Sequence, residues 1–314
     1  MENLTEILVS VLPPFLLLGV GAFARGAGWL RAEADASLSM MTIRILYPCF
    51  IFYHVLGSER KEIDENTLVL PGFGFLLIIL GFGISWIVAR LMKIDPWSAR
   101  SFVFCSGIFN YGFFALPVAL SIFGDEIIVE VILFNLGVEV AIWTIGILLL
   151  TSSSLSVRGL LNPPSVAVLL ALFVQANGGK EWIPAYSWEV IEMIGRCSIP
   201  MGLILIGGSF YQLLRGFQCS KGYRVEISAL LVRNFIFPML VLAYLSWGWL
   251  PDGIDWLPEV LMIQAAMPAG IFAVVIVGNY KGDRNTAMRA IIVTMVASVA
   301  TLPFWLACGL KVLD

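Results

Sequence analysis

The stretch Ser106-Gly-Ile-Phe-Asn-Tyr-Gly-Phe-Phe-Ala-Leu-Pro117 and its later counterpart Gln264-Ala-Ala-Met-Pro-Ala-Gly270 interrupt two apolar runs at corresponding places. Each surrounding run is long enough to cross a bilayer, so the interruptions fall at membrane depth. Proline has no N–H for the carbonyl four residues before it, so Pro117 frees that of Phe113 and Pro268 that of Gln264. Gly107 and Gly112, on either side of Asn110, ease an irregular backbone. Freed backbone inside a membrane must line a cavity or be buried in protein. Either interruption alone reads as a plain proline kink. The two together, at matched places in two halves of the chain, read as a solute-binding site.

Composition supports the membrane setting. Apolar residues make up 59% of the 314 and charged residues 13%, against roughly 45–50% and about 25% in soluble domains. About ten apolar runs follow one another, near residues 8–24, 37–57, 67–89, 101–123, 127–150, 163–177, 188–210, 225–249, 257–279 and 286–310. Most approach the ~20 residues that cross ~30 Å, and the run at 163–177 is short. The runs are continuous rather than alternating, which predicts helices and not a membrane barrel. The first run is expected as a helix and not as a signal peptide. Ala22-Phe-Ala24 looks like a cleavage site, but Glu2 and Glu6 precede the run with no Lys or Arg.

The positive charges give an orientation. With the N-terminus outside, the cytoplasmic side holds most Lys and Arg residues, among them Arg25, Arg90, Arg158, Lys221, Lys281 and Arg284. The outer side holds Arg60, Lys61, Lys180 and Lys311. Ten spans then put both termini outside a multi-pass protein of the cell (inner) membrane.

The two halves share their punctuation. Pro13-Pro14 answers to Pro163-Pro164, Arg44…Pro48 to Arg196…Pro200, Pro117 to Pro268, and Gly124-Asp125 to Gly282-Asp283. Five spans per half is an odd number, which inverts the second half relative to the first, as in many secondary transporters. The expected fold is therefore all-α and polytopic. It has ten transmembrane helices in two inverted five-helix repeats, residues 1–150 and 163–314, joined by a short polar cytoplasmic segment at 151–162.

Several side chains stand out against this apolar background. Arg44, Arg196 and Arg233 fall well inside runs, where a charge costs ~2.5–3.5 kcal/mol on insertion scales and tends to mark a pathway. Snorkelling toward the headgroups is the competing explanation for Arg44 and Arg196. Glu139, with Asn135 one turn before it, is the most deeply placed carboxylate. It is expected to pair with an arginine or to carry a proton. His54 is the single histidine and reads as structural. Trp182, Trp188, Trp247 and Trp249 read as interface anchors.

Other chemistries find no footing. The five cysteines are scattered without CxxC or metal-ligand spacing, so no metal is expected. No nucleophile elbow, P-loop, HExxH or dinucleotide fingerprint is present, so neither an enzyme nor a cofactor is expected. A net charge of -3 without a basic patch leaves nothing for nucleic acid.

Asn110 followed by Pro117 and Phe123-Gly124, together with Gln264-Ala-Ala-Met-Pro268-Ala-Gly270 and Asn279-Tyr280, resembles the auxin efflux carrier family. That family includes the plant PIN-formed proteins and bacterial malate or malonate permeases. The resemblance covers nearly the whole chain. It implies ten helices in two inverted repeats, with the fourth and ninth broken and crossing at a substrate site. By position, Asn110 and the Pro117 crossover would contact a carboxylate, with Pro268 on the other half of the crossing. The long cytoplasmic loop of many plant members is missing, which puts loop regulation and auxin itself in doubt. A likeness to bile-acid carriers holds at the level of fold alone.

The expected function is secondary transport of a small organic anion, a mono- or dicarboxylate, by alternating access. The expected substrate-binding residues are Asn110, Gly112, Pro117, Gln264, Pro268 and Gly270. Arg44, Arg196, Glu139 and Arg233 are the candidates for coupling or gating. Two alternatives stand beside this: a sodium-coupled carrier of the bile-acid type, and a membrane solute sensor that does not transport. The expected partners are the anion and the lipid bilayer, and a homodimer is left open.

Overall fold

The computed structural model describes residues 4–58, 69–151, 162–217, 223–251, 254 and 256–313. Most of the polar joint at 151–162 lies outside the described residues, as do Arg60, Lys61, Arg158, Lys221 and Cys219. The described chain is helical, and its one β-type feature is an isolated antiparallel bridge between Phe109 and Ala269.

Helix α1 covers Leu4–Gly26, α2 Ala32–Gly57 and α3 Val69–Leu91. The first interrupted run gives α4, Pro96–Gly107, and α5, Ala115–Phe123. Helix α6 covers Asp125–Thr151, α7 Pro163–Ala176, α8 Ala185–Arg215 and α9 Arg224–Ser246. The second interrupted run gives α10, Leu257–Ala266, and α11, Phe272–Asn279, before α12 closes the chain at Arg284–Leu313. Seven of these are long and apolar enough to cross a membrane: α1, α2, α3, α6, α8, α9 and α12. The chain is a polytopic membrane protein. The remaining apolar runs are the short α7 and the two interrupted ones.

Local chemistry sets where helices start. Asp95 accepts from the N–H groups of Trp97 and Ser98 at 3.1 Å and is followed by Pro96, a favourable cap and first residue for α4. Asn162 does the same for α7, accepting from Ser165 N at 2.8 Å ahead of Pro163. Asp283 caps α12 by accepting from Asn285 N and Thr286 N at 3.1 Å. Prolines inside helices loosen the ladder instead. The turns before Pro48 and Pro238 widen to π geometry over Thr42–Leu46 and Leu231–Ile236. The carbonyl of Asn234 that Pro238 cannot serve accepts from Trp305 Nε1 at 2.6 Å.

Glycine permits the closest helix pairs. A methyl built on Gly137 of α6 would lie 1.7 Å from the carbonyl oxygen of Pro71, and one on Gly74 of α3 would lie 2.1 Å from that of Phe134. Helices α1 and α8 meet in the same way, through Gly21 and Gly207. Small residues at such crossings let backbones touch where lipid supplies no hydrophobic drive.

Candidate functional site

The two interruptions pair with each other. Helix α4 ends as Ile108 turns extended, and α10 ends as Met267 does. The N–H of Asn110 donates to the carbonyl of Pro268 at 2.9 Å, and that of Gly270 to the carbonyl of Ile108 at 3.0 Å. Backbone that no helix serves is thus satisfied by the opposite break, as hydrocarbon surroundings require. The approach is close: a methyl on Gly270 would stand 3.1 Å from the Phe109 carbonyl oxygen.

The pairing borders a cavity of about 640 Å³. One wall comes from α2, α7 and α8, and the other from α6, the first break and α11. The cavity runs from Asn110 toward helix ends carrying Asp35, Asn162, Gln212 and Arg284. Asp35 is ion-paired with Arg25 of α1. At the inner end, Asn110 is buried, and its side-chain Nδ2 has no hydrogen-bond partner. The N–H groups of Gly112 and Phe113, just ahead of α5, likewise make no backbone hydrogen bond. Asn110 and the residues just ahead of α5, at the positive end of that helix, line the same space.

Polar groups behind the breaks form one chain. Asn135 of α6 donates to the carbonyl of Tyr111 at 3.0 Å and accepts from Gln264 Nε2 at 3.0 Å, so it holds both breaks. One turn on, Glu139 accepts from the Tyr111 hydroxyl at 2.6 Å, Trp143 Nε1 at 2.8 Å and Asn162 Nδ2 at 2.9 Å. The second break is fastened to α12, where Thr294 Oγ1 accepts from Ala269 N at 3.2 Å.

The expected site residues divide by place. Asn110, Gly112, Gly270 and Glu139 line the cavity. Pro117, Gln264 and Pro268 do not: Pro117 sits in the first turn of α5, Gln264 is fully buried on Asn135, and Pro268 offers its carbonyl to Asn110. Glu139 pairs with no arginine among the described residues. Its three partners are uncharged donors, which cost less to bury beside it than a second charge. Arg44 is exposed on the outer face of α2. Arg196 is also exposed and is paired with Glu192 of its own helix at 2.5 Å. Their long stems carry both guanidinium groups away from the cavity. Arg233 is wholly buried behind the second break and outside the cavity. His54 packs against Phe50 and Tyr53, with its Nδ1 3.9 Å from Asp125.

Reading the sequence missed Tyr111, Trp143, Asn162 and Arg284. Tyr111 stands inside the first interruption, beside Asn110, and nothing in its spacing points to Glu139. Asn162 before Pro163-Pro164 carries the signal of a helix cap, and nothing in that signal points to Glu139.

The profile of the membrane transport protein family matches residues 6–158 and 149–306. The chain is 24% identical over 311 residues to an uncharacterized transporter of Methanothermobacter thermautotrophicus, covering 96% of this chain and 97% of that one. It is 22% identical over 303 residues to an uncharacterized transporter of Methanocaldococcus jannaschii, covering 94% and 96%.

Proposed function

We propose that this chain, which belongs to the membrane transport protein family and is a transporter rather than an enzyme, is a secondary carrier for a small organic anion. One observation carries the reading. At the paired breaks, a cavity is lined by Asn110, whose side-chain amide has no partner, and by Gly112 and Phe113, whose N–H groups make no backbone hydrogen bond, and no carboxylate is bonded to them. Donors without acceptors at membrane depth suit the carboxylate of a mono- or dicarboxylate.

The twelve helices group into ten spans when α4 with α5, and α10 with α11, are each taken as one broken span. Two inverted five-helix repeats, 1–150 and 163–314 about a cytoplasmic joint, explain why the breaks meet head to head. In this arrangement α2, α7 and α8 move against the wall that holds the breaks, giving alternating access. Asn110, Gly112 and Gly270 contact the anion, while Pro117, Pro268 and Gln264 shape the crossing. With both termini outside the cell membrane, Asp35, Asn162 and Arg284 mark a cytoplasmic mouth, and Arg284 draws anions to it.

Counterflow in proteoliposomes with a panel of labelled mono- and dicarboxylates tests this directly. Saturable exchange of at least one is expected, with Asn110→Ala slowing it by about tenfold or more, the worth of one hydrogen bond to a charged group. If folded protein exchanges none of them, the reading fails. Saturable binding without exchange identifies a sensor instead.

A further inference from the structure

Arg233 is the largest fully buried side chain of the described residues. It lies near the middle of α9, on the side of the second break away from the cavity. No Asp or Glu of the described residues lies within ion-pair distance of it. Its Nη2 donates instead to two backbone carbonyls, those of Ala265 at 3.3 Å and Met267 at 2.8 Å. The Phe237 and Phe109 rings lie 4.3 and 5.4 Å from its guanidinium carbon. Nε and Nη1 have no hydrogen-bond partner.

These neighbours are those of a coordinated cation. Helix α10 ends at Ala266, so its last carbonyls point into the break as the negative end of the helix dipole. Pro268 offers no N–H to them. In carriers built on broken helices, half-helix C-terminal ends and unwound carbonyls of this kind hold the coupling cation. Aromatic faces add to the attraction for any cation seated there. Here a guanidinium on a side chain takes those oxygens, and its charge stays through the whole transport cycle because arginine keeps its proton. The next carbonyl, that of Pro268, is the one Asn110 N–H holds. The fixed positive charge therefore sits directly behind the proposed anion site.

We infer that Arg233 is a tethered cation occupying the seat at the second break where a free coupling ion would bind, so that the carrier works without Na⁺. This rests on the transport reading above and answers the sodium-coupled alternative.

Two measurements test it, one of them independent of transport. In counterflow of whichever carboxylate is exchanged, replacing NaCl by choline chloride should leave the wild-type rate within about twofold, a change smaller than one hydrogen bond is worth. Collapse of the wild-type rate in choline overturns the inference. In detergent, Arg233→Ala should melt lower than wild type, and millimolar guanidinium chloride should raise its melting temperature while leaving wild type unmoved, because the emptied seat binds the free ion. A folded Arg233→Ala protein that responds to neither guanidinium, Na⁺ nor K⁺ also overturns it, as does full counterflow by that variant in choline alone. Arg233→Met, which keeps the apolar stem against Phe237, replaces it where the alanine variant does not fold; if neither folds, the wild-type sodium arm decides. If no carboxylate is exchanged at all, the transport reading fails and the melting experiment still tests the seat.

Discussion

The hydroxyl of Tyr111 donates to the carboxylate of Glu139 across 2.6 Å, tying the first break to the helix that lines the cavity. The other carboxylate oxygen accepts from Trp143 and Asn162, so three donors converge on two oxygens. Asn162 is not free to turn its amide, because its Oδ1 already caps α7 through Ser165 N. Glu139→Gln would keep its oxygen for Trp143 and Asn162 and turn its NH₂ group to the Tyr111 hydroxyl, whose proton then loses its acceptor. A buried donor left unsatisfied costs about 1–3 kcal/mol. Thermal melting in detergent should show that loss for Glu139→Gln and one at least as large for Tyr111→Phe, which leaves an oxygen of the buried carboxylate without its donor. Equal melting of Glu139→Gln and wild type would mean that the three bonds do not hold the carboxylate.

Helices α3 and α6 offer a test of packing separate from the site. A methyl at Gly137 meets the Pro71 carbonyl oxygen at 1.7 Å, and backbone cannot step aside as a side chain can. Gly137→Ala should cost about 1–3 kcal/mol or more, as overpacking does, with a lower yield of monodisperse protein. Gly83 on α3 has nothing within 4 Å of an added methyl. Gly83→Ala should be neutral or stabilising by about 0.5–1 kcal/mol through its helix propensity. Matching behaviour of the two variants would contradict the close crossing.

Much of this architecture was legible in the chain because apolar length and proline position act locally. Pro117 and Pro268 mark the two broken runs whatever packs around them, and Asn162 and Asp283 announce helix starts by side-chain chemistry alone. Partner choice is not local. Glu139 meets Tyr111, Trp143 and Asn162 because three segments converge on it, and no spacing in the sequence encodes that. The arginines make the same point from the other side. Arg44, Arg196 and Arg233 look alike within their runs, and only the helix face each one occupies separates two exposed guanidinium groups from a buried one.

Asp283 gives a pH dependence whose direction follows from its partners. Burial pulls its carboxyl upward, but hydrogen bonds from Thr286, Ser98 and the N–H groups of Thr286 and Asn285 outweigh it and hold it below the usual aspartate value. A folded value below the unfolded one means stability that is present above the unfolded value and lost as pH falls through the folded one. Melting of the wild type should therefore lose this contribution only below about pH 4. Asp283→Ala removes the α12 cap and the 2.7 Å bond from Ser98 of α4. It should lower stability by about 1 kcal/mol at neutral pH. The gap between the two proteins should narrow in acid; a gap that does not depend on pH would place the effect elsewhere.

Asn110 allows the sign of the site to be read directly. Its backbone N–H, not its side chain, makes the bond to Pro268, so a change of side chain leaves the pairing of the breaks in place. Asn110→Ala removes a donor that has no partner in the protein, so the fold loses little while a bound carboxylate loses a hydrogen bond. Asn110→Asp keeps the size and places a carboxylate where the donor was. If the site takes anions, like charge makes the aspartate variant the worse of the two at neutral pH, with counterflow below that of the alanine variant. Lowering the pH should then recover the aspartate variant toward the alanine one as its carboxyl protonates, with the alanine variant melting close to wild type. An aspartate variant that exchanges carboxylates better than the alanine variant at neutral pH would show that a donor for anions is not what Asn110 supplies.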